Sequence, residues 1–222
     1  SVKLIFDGFH RRRWTHEGKF FKGKVEGQYE MLPVPVQLPH PPLYMAGGTD
    51  RSIAYAGRNG FGLMLSTLPG IETLSAQAKI YRESLATAPS PQRNNPAAGH
   101  IDIARMVYVA DTDEQARADT EDHILHHIRN FNSAGTSGYL GTVSEKGQAL
   151  DYAQLAETTL LHGSPATVIA KLRALQAKTG MTSLLLHYPP YYGHEKILRS
   201  LTLFAQHVIP AFRPPASRIA AE

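Results

Sequence analysis

The chain has 222 residues, 42% of them hydrophobic and 19% charged, which excludes an intrinsically disordered segment and supplies material for a substantial core. Its formal charge is +4, but the basic residues are scattered and the one tight run, Arg11-Arg12-Arg13, adjoins apolar residues, so no nucleic-acid partner is expected. There is no cysteine, which excludes disulfides and thiolate metal sites and makes a reducing cytoplasm the expected location, and no apolar run is long enough to span a membrane.

The opening Ser1-Val2-Lys3-Leu4 lacks both an initiator Met and a capping residue, so the true N-terminus is expected elsewhere. Val2, Ile5, Phe6 and Phe9 predict a helix running to about His16, with Trp14 packing it onto the rest. Residues 18–37 contain Gly27, Pro33 and Pro35 and predict an extended excursion with strand-like pairs. Leu43–Ala46 then reads as a buried strand closed by Gly47-Gly48, followed by a short helix over 49–58. A second strand is predicted over Phe61–Ser66, and a helix over 71–87 with Leu74, Ala78, Tyr81 and Leu85 on one face.

A polar loop over 90–99 leads to a third strand, Ile101–Ala110, and to a long helix from Asp111-Thr112 carrying Ile124, Leu125, Ile128 and Phe131. Residues 133–149 are rich in Gly, Ser and Thr and read as a loop. After a helix near 151–162, Ser164-Pro165 is a helix start, Ser capping and Pro at the first helical position. Val168, Leu172 and Leu175 stripe that helix and Gly180 ends it. Ser183–His187 is the fourth strand, and a last helix with Ile197, Leu201, Phe204 and Val208 stops before Pro210.

Alternating helices and continuously apolar strands predict a parallel sheet covered by helices. Four such strands are half of what a (β/α)8 barrel requires, so the fold expected is α/β, half of a TIM-type barrel or a small open sheet, in one domain over 1–222.

The stretch that speaks most directly to chemistry is Tyr44-Met45-Ala46-Gly47-Gly48-Thr49-Asp50-Arg51-Ser52. Two glycines let backbone N–H groups approach an anion, the Thr49 and Ser52 hydroxyls lie one turn apart, and the helix dipole favours negative charge there. An ordinary helix cap after a tight turn satisfies the same pattern. Asp50 and Arg51 are expected to face solvent.

HEGKFF at 16–21, PVQLPHPPLYMAGGTDRS at 35–52 and AYAGRNGFGLMLS at 54–66 resemble the luciferase-like flavin-dependent monooxygenases. So do RMVYVADTDEQAR (105–117), HGSPATVIAKL (162–172) and RSLTLFAQHVIPAFR (199–213), in the family's order over nearly the whole chain. The resemblance implies the C-terminal half of a (β/α)8 barrel with an insertion, the first strands being absent. It implies reduced FMN with O2 and an organic substrate, or the deazaflavin F420 in one branch, with the cofactor phosphate held by Gly48, Thr49 and Ser52 beside Ala46 and Gly47. A separate flavin reductase is expected, since no G-x-G-x-x-G nicotinamide fingerprint occurs. Further expected partners are the missing first half, or a second subunit, and further copies of the chain. A non-catalytic flavin-binding subunit is the alternative from another class.

Three residues are candidates for catalysis. His187 and Tyr188 end the fourth strand, where barrel enzymes place their chemistry, and a histidine there suits proton transfer. Arg105 lies among apolar strand residues and is expected to meet an anion, either substrate or an internal carboxylate. Tyr191 and Tyr192 are expected either to line a pocket wall or to pack on the last helix. His123 and His127 sit at i, i+4, but no third ligand accompanies them, so a solvated helix face is expected and no metal. The 133–149 loop, with Tyr139, matches the region where the family varies its substrate lid.

Overall fold

A computed structural model of the chain describes residues 2–38, 40–133 and 150–213. The elements run α1 (Val2–His10), β1 (Trp14–Glu17), β2 (Lys22–Val25), β3 (Tyr44–Ala46), α2 (Asp50–Arg58), β4 (Gly62–Leu65) and α3 (Ile71–Ala86). There follow α4 (Ser90–Arg93), β5 (Ile101–Val109), α5 (Asp113–Ser133), α6 (Tyr152–Thr158), β6 (Leu161–Gly163), α7 (Pro165–Thr179), β7 (Ser183–His187) and α8 (His194–Leu203). The expected loop at 133–149, Tyr139 included, lies outside the described residues except for its first member.

β3, β4 and β5 pair in that order, and β7 pairs with β5, all parallel. β5 is the spine: its first residues pair with β4, its middle with β7, and Val107–Val109 with the short β6. Register divides the side chains between two faces. On one face Leu63, Leu65, Ile101 and Ile103 pack with Ile53 of α2 and Leu74, Ala78 and Tyr81 of α3. On the same face Val107, Val109, Leu184 and Leu186 meet Val168 and Leu172 of α7 and Phe204 beyond α8. The opposite face carries Ala46, Met64, Asp102 and Ser183 in one row, Ala104 and Leu185 in the next, and Met106 with His187 in the third.

This second face is the concave wall of a barrel. Its C-terminal end is covered, because Ile124 and Ile128 of α5 pack over Met106 and Tyr108. Elsewhere it is open, with Tyr44 37% and Leu185 36% exposed. Among the described residues no helix is long and apolar enough to cross a membrane.

Several boundaries differ from the sequence expectation. α1 ends at His10, and Trp14–Glu17 pairs antiparallel with Lys22–Val25 around a turn closed by Gly18 N–H donating to Phe21 C=O. Trp14 therefore lies on a hairpin, over Gly23, and not on the first helix. Leu161–Gly163 is a strand, not the end of the preceding helix, and the 90–99 loop contains one helical turn. The last helix passes through a π turn at Phe204–Val208 into a 3-10 turn, Ile209–Phe212, that includes Pro210. Ser164 and Gly180 cap α7 as expected, Gly180 in the left-handed region at φ 62° that suits a residue without Cβ.

Candidate active site at the mouth of the sheet

β3 ends at Ala46, and Gly47 N–H still donates to Met64 C=O, so the sheet ladder delivers the chain to the C-terminal rim before it turns into α2. Thr49 is the N-cap. Its side chain accepts from Ser52 N–H, while Ser52 Oγ accepts from Thr49 N–H at 3.1 Å and Gly48 N–H at 3.3 Å. Ser52 Oγ in turn donates to Thr49 C=O at 2.8 Å. The two hydroxyls and the two amide groups thus converge on one spot at the positive end of the helix. Asp50 and Arg51 are exposed, as expected of residues at a helix start.

The two glycines differ in their surroundings. A Cβ on Gly47 would sit 3.0 Å from Ile53 Cγ1 and 3.2 Å from Leu63 Cδ1, so close helix–strand packing excludes a side chain there. A Cβ on Gly48 would meet nothing within 4 Å, and Gly48 is not among the glycines with positive φ. Neither internal packing nor backbone strain accounts for glycine at 48. Behind the turn, Gln77 of α3 is buried and donates Nε2–H to Gly48 C=O at 3.3 Å.

The expected catalytic residues are not brought together. His187 shares a row with Met106 on the concave face, and its ring centroid lies 5.8 Å from that of His127 on α5. Burial pushes the pKa of both imidazoles down, and for His127 the neighbouring His187 and His126 add to the effect. Tyr191, exposed, has its ring edge-on to that of His126 at 5.1 Å. His123 is exposed, while His127 is half-buried against β7, so the expectation of a wholly solvated face is corrected for His127. Among the described residues no group of three or more metal-ligating side chains occurs.

Tyr188 points the other way: its hydroxyl lies 3.5 Å from Ser200 Oγ on α8, and burial raises its pKa. Arg105 shares a register row with Leu186, on the helix-packed face, and is 2% exposed. Its guanidinium donates to the carbonyls of Thr67 at 2.9 Å and Pro69 at 2.7 Å, and desolvation lowers its pKa to about 10. The anionic partner expected for it is replaced by two carbonyl dipoles, which makes Arg105 a fastener of the loop after β4. Tyr192 packs inward rather than lining a wall. It stands edge-on to Tyr108 at 5.3 Å, with its hydroxyl 3.2 Å from His162 Nε2.

That contact belongs to a buried polar network which the sequence did not reveal. His162 Nδ1 is 3.1 Å from Thr120 Oγ1 and 3.2 Å from Tyr152 OH, so one imidazole joins α5, α6, β6 and the turn after β7. Burial lowers its pKa to about 3, which keeps it neutral, one ring nitrogen donating and the other accepting.

With this geometry in hand, comparison with known proteins decides the family. Residues 1–183 match the luciferase-like monooxygenases. The chain belongs to that family. Among curated proteins it is similar to limonene 1,2-monooxygenase of Rhodococcus erythropolis, 29% identical over 163 residues, 71% of this chain and 40% of that one. Among solved structures it resembles the oxygenating constituent of 3,6-diketocamphane monooxygenase from Pseudomonas putida in complex with FMN. There the TM-score is 0.72 at 22% identity, covering 96% of this chain and 62% of the other. The F420-dependent tetrahydromethanopterin reductase of Methanopyrus kandleri gives a TM-score of 0.63 at 18% identity, covering 96% of this chain and 62% of that one. The luciferase-like chain therefore spans less than two thirds of each of these proteins and shares the fold of part of them.

Proposed function

We propose that the protein is a flavin-dependent monooxygenase that uses reduced FMN and O2 to oxygenate a small organic substrate, and that this chain supplies the phosphate end of the flavin site. The observation that carries the reading is Gly48: a residue without a side chain, facing open space, at a helix N-terminus where two N–H groups and two hydroxyls converge. Gly48 and Thr49 would hold the phosphate through their amides, and Thr49 and Ser52 through their hydroxyls, released from the capping box to donate outward. Ala46 and Gly47 bring the chain to the rim. Reduced flavin would supply the electrons and the position at which O2 reacts.

The rest of the chain's contribution is environment. Met64, Ala104, Met106 and Leu185 form an apolar wall on the concave face that would exclude water from the reacting atoms once the site is closed. His187 stands at the end of this wall, where burial lowers its pKa and favours the neutral imidazole that could take a proton from the substrate. Likeness to F420-dependent enzymes supports a second reading, hydride transfer with a deazaflavin on the same turn. Titration with FMN and F420 separates the two.

The reading predicts the outcome of Gly48→Val. Its side chain would enter space that no atom of the described residues fills, so the melting temperature should stay near that of the parent. FMN affinity should fall at least about tenfold, or about 1.4 kcal/mol. Undiminished FMN binding by a folded Gly48→Val protein would remove the phosphate assignment.

A further inference from the structure

Gln77 is an anomaly within its helix. Its neighbours on the inward face of α3, Leu74, Ala78 and Tyr81, are completely buried, and Gln77 itself is only 7% exposed. An amide so buried loses its hydration, whereas Leu or Met of similar size would not bear that penalty. Of its two ends, Nε2 donates to Gly48 C=O at 3.3 Å, and Oε1 has no hydrogen-bond partner among the described residues. Among the described residues, the donor to Gly48 is therefore the one directional contact that the side chain makes.

That contact falls on the peptide between Gly48 and Thr49. The peptide unit is planar and trans, so a carbonyl held inward by α3 turns the Thr49 N–H outward, toward Ser52 Oγ and the open side of the turn. Glycine at 48 is the residue least able to hold that orientation alone, because without a Cβ the flipped peptide is readily reached. A flip would withdraw one N–H and present a carbonyl oxygen, a partial negative charge, to the anion.

We propose that Gln77 is a positioning residue for the phosphate turn: it locks the Gly48–Thr49 peptide with its N–H outward and so sets the preference for a phosphorylated flavin over its dephosphorylated form. The inference rests on the phosphate reading of the turn given above. It assigns Gln77 no contact with the ligand. The side chain acts from behind the turn, and its effect is confined to the phosphate end of the cofactor.

Comparing phosphorylated and phosphate-free cofactors tests this directly. FMN and riboflavin are titrated against the full protein, its Gln77→Leu variant and its isosteric Gln77→Glu variant, and F420 is compared in the same way with its dephosphorylated chromophore. The parent should bind the phosphorylated form at least about tenfold more tightly. Gln77→Leu should lose most of that preference while its affinity for the phosphate-free form stays within about twofold, which also shows that the pocket is folded. Gln77→Glu, without an N–H to donate, should lose the preference too. If both variants keep the parent's preference, Gln77 does not position the turn, although the phosphate reading stands. If the parent itself binds both forms equally, or neither, the phosphate reading fails and the role of Gln77 fails with it. Equal losses for both forms would reduce Gln77 to a general packing residue and overturn the proposal.

Discussion

Thr49 and Ser52 cap α2, and the phosphate-binding role proposed for them can be separated from capping by measurement. In the structure their hydroxyls satisfy each other and the first amides of α2, which is a complete capping box. In the proposed complex the same groups turn to a phosphate. The double substitution Thr49→Ala with Ser52→Ala should cost stability through the lost cap, about 1–2 kcal/mol by chemical denaturation. It should also weaken FMN binding by roughly 2–4 kcal/mol, from two lost charge-assisted hydrogen bonds. Riboflavin binding should change little. A protein that loses stability but keeps its FMN affinity would leave these residues as caps alone. The geometry of this turn was legible in sequence because its members are adjacent: a strand, two glycines and two hydroxyls one turn apart make a local pattern. Gln77 was not, since its partner lies 29 positions away and nothing local distinguishes it from any polar residue on a helix. Arg105 shows the opposite limit. Its burial was legible, but its partners are the backbone carbonyls of Thr67 and Pro69, which any sequence at those positions would present.

Among the elements, those with long periodic patterns appeared where the sequence placed them, and the misses were short. β6 has three residues, too few for a period, and the apolar Leu160-Leu161 at its start continued the stripe of the helix before it. The β1–β2 hairpin was hidden because Trp14 and His16 extend the apolar residues of α1 without a proline to stop them. β6 matters more than its length suggests, because it carries His162 into the network that ties α5 and α6 to the turn after β7. That network predicts a pH dependence. The folded pKa of His162 is about 3 against an ordinary value of 6.5, so the unfolded chain binds the additional proton. Stability is then fully present above the unfolded value and is lost as pH falls from 6.5 toward 3. Between about pH 7.5 and pH 5, this one group should cost roughly 2 kcal/mol in denaturant unfolding. His162→Gln keeps a donor and an acceptor but cannot titrate, so its stability should fall by about that much less over the same range. Equal pH slopes for the two proteins would show that His162 is not held neutral by the fold.

At the level of the whole molecule, the decisive property is a sheet finished on one side only. The helix-packed face is sealed by Ile53, Leu63, Leu74 and Ile101, each no more than 1% exposed. The concave face keeps Leu185 36% exposed, although an apolar row on a barrel interior is meant to be packed against the facing strands. The chain covers 62% of the diketocamphane monooxygenase constituent, so further barrel strands packed over Leu185 are a testable expectation. The strand count gave notice of this: four of the five parallel strands among the described residues were read from the sequence, and neither number reaches the eight that close a barrel. Which residues would fill the concavity was not legible in the sequence. The difference is measurable at a single side chain. In the 222-residue chain, Leu185→Ala removes a side chain already in partial contact with water and should cost less than about 1 kcal/mol of unfolding free energy. In a polypeptide that also carries the first half of the barrel, the same substitution would open a cavity among packed strands and should cost about 2–4 kcal/mol. A similar small cost in both contexts would mean that the concave face is not closed by barrel strands, and that the proposed flavin site is built on an open sheet.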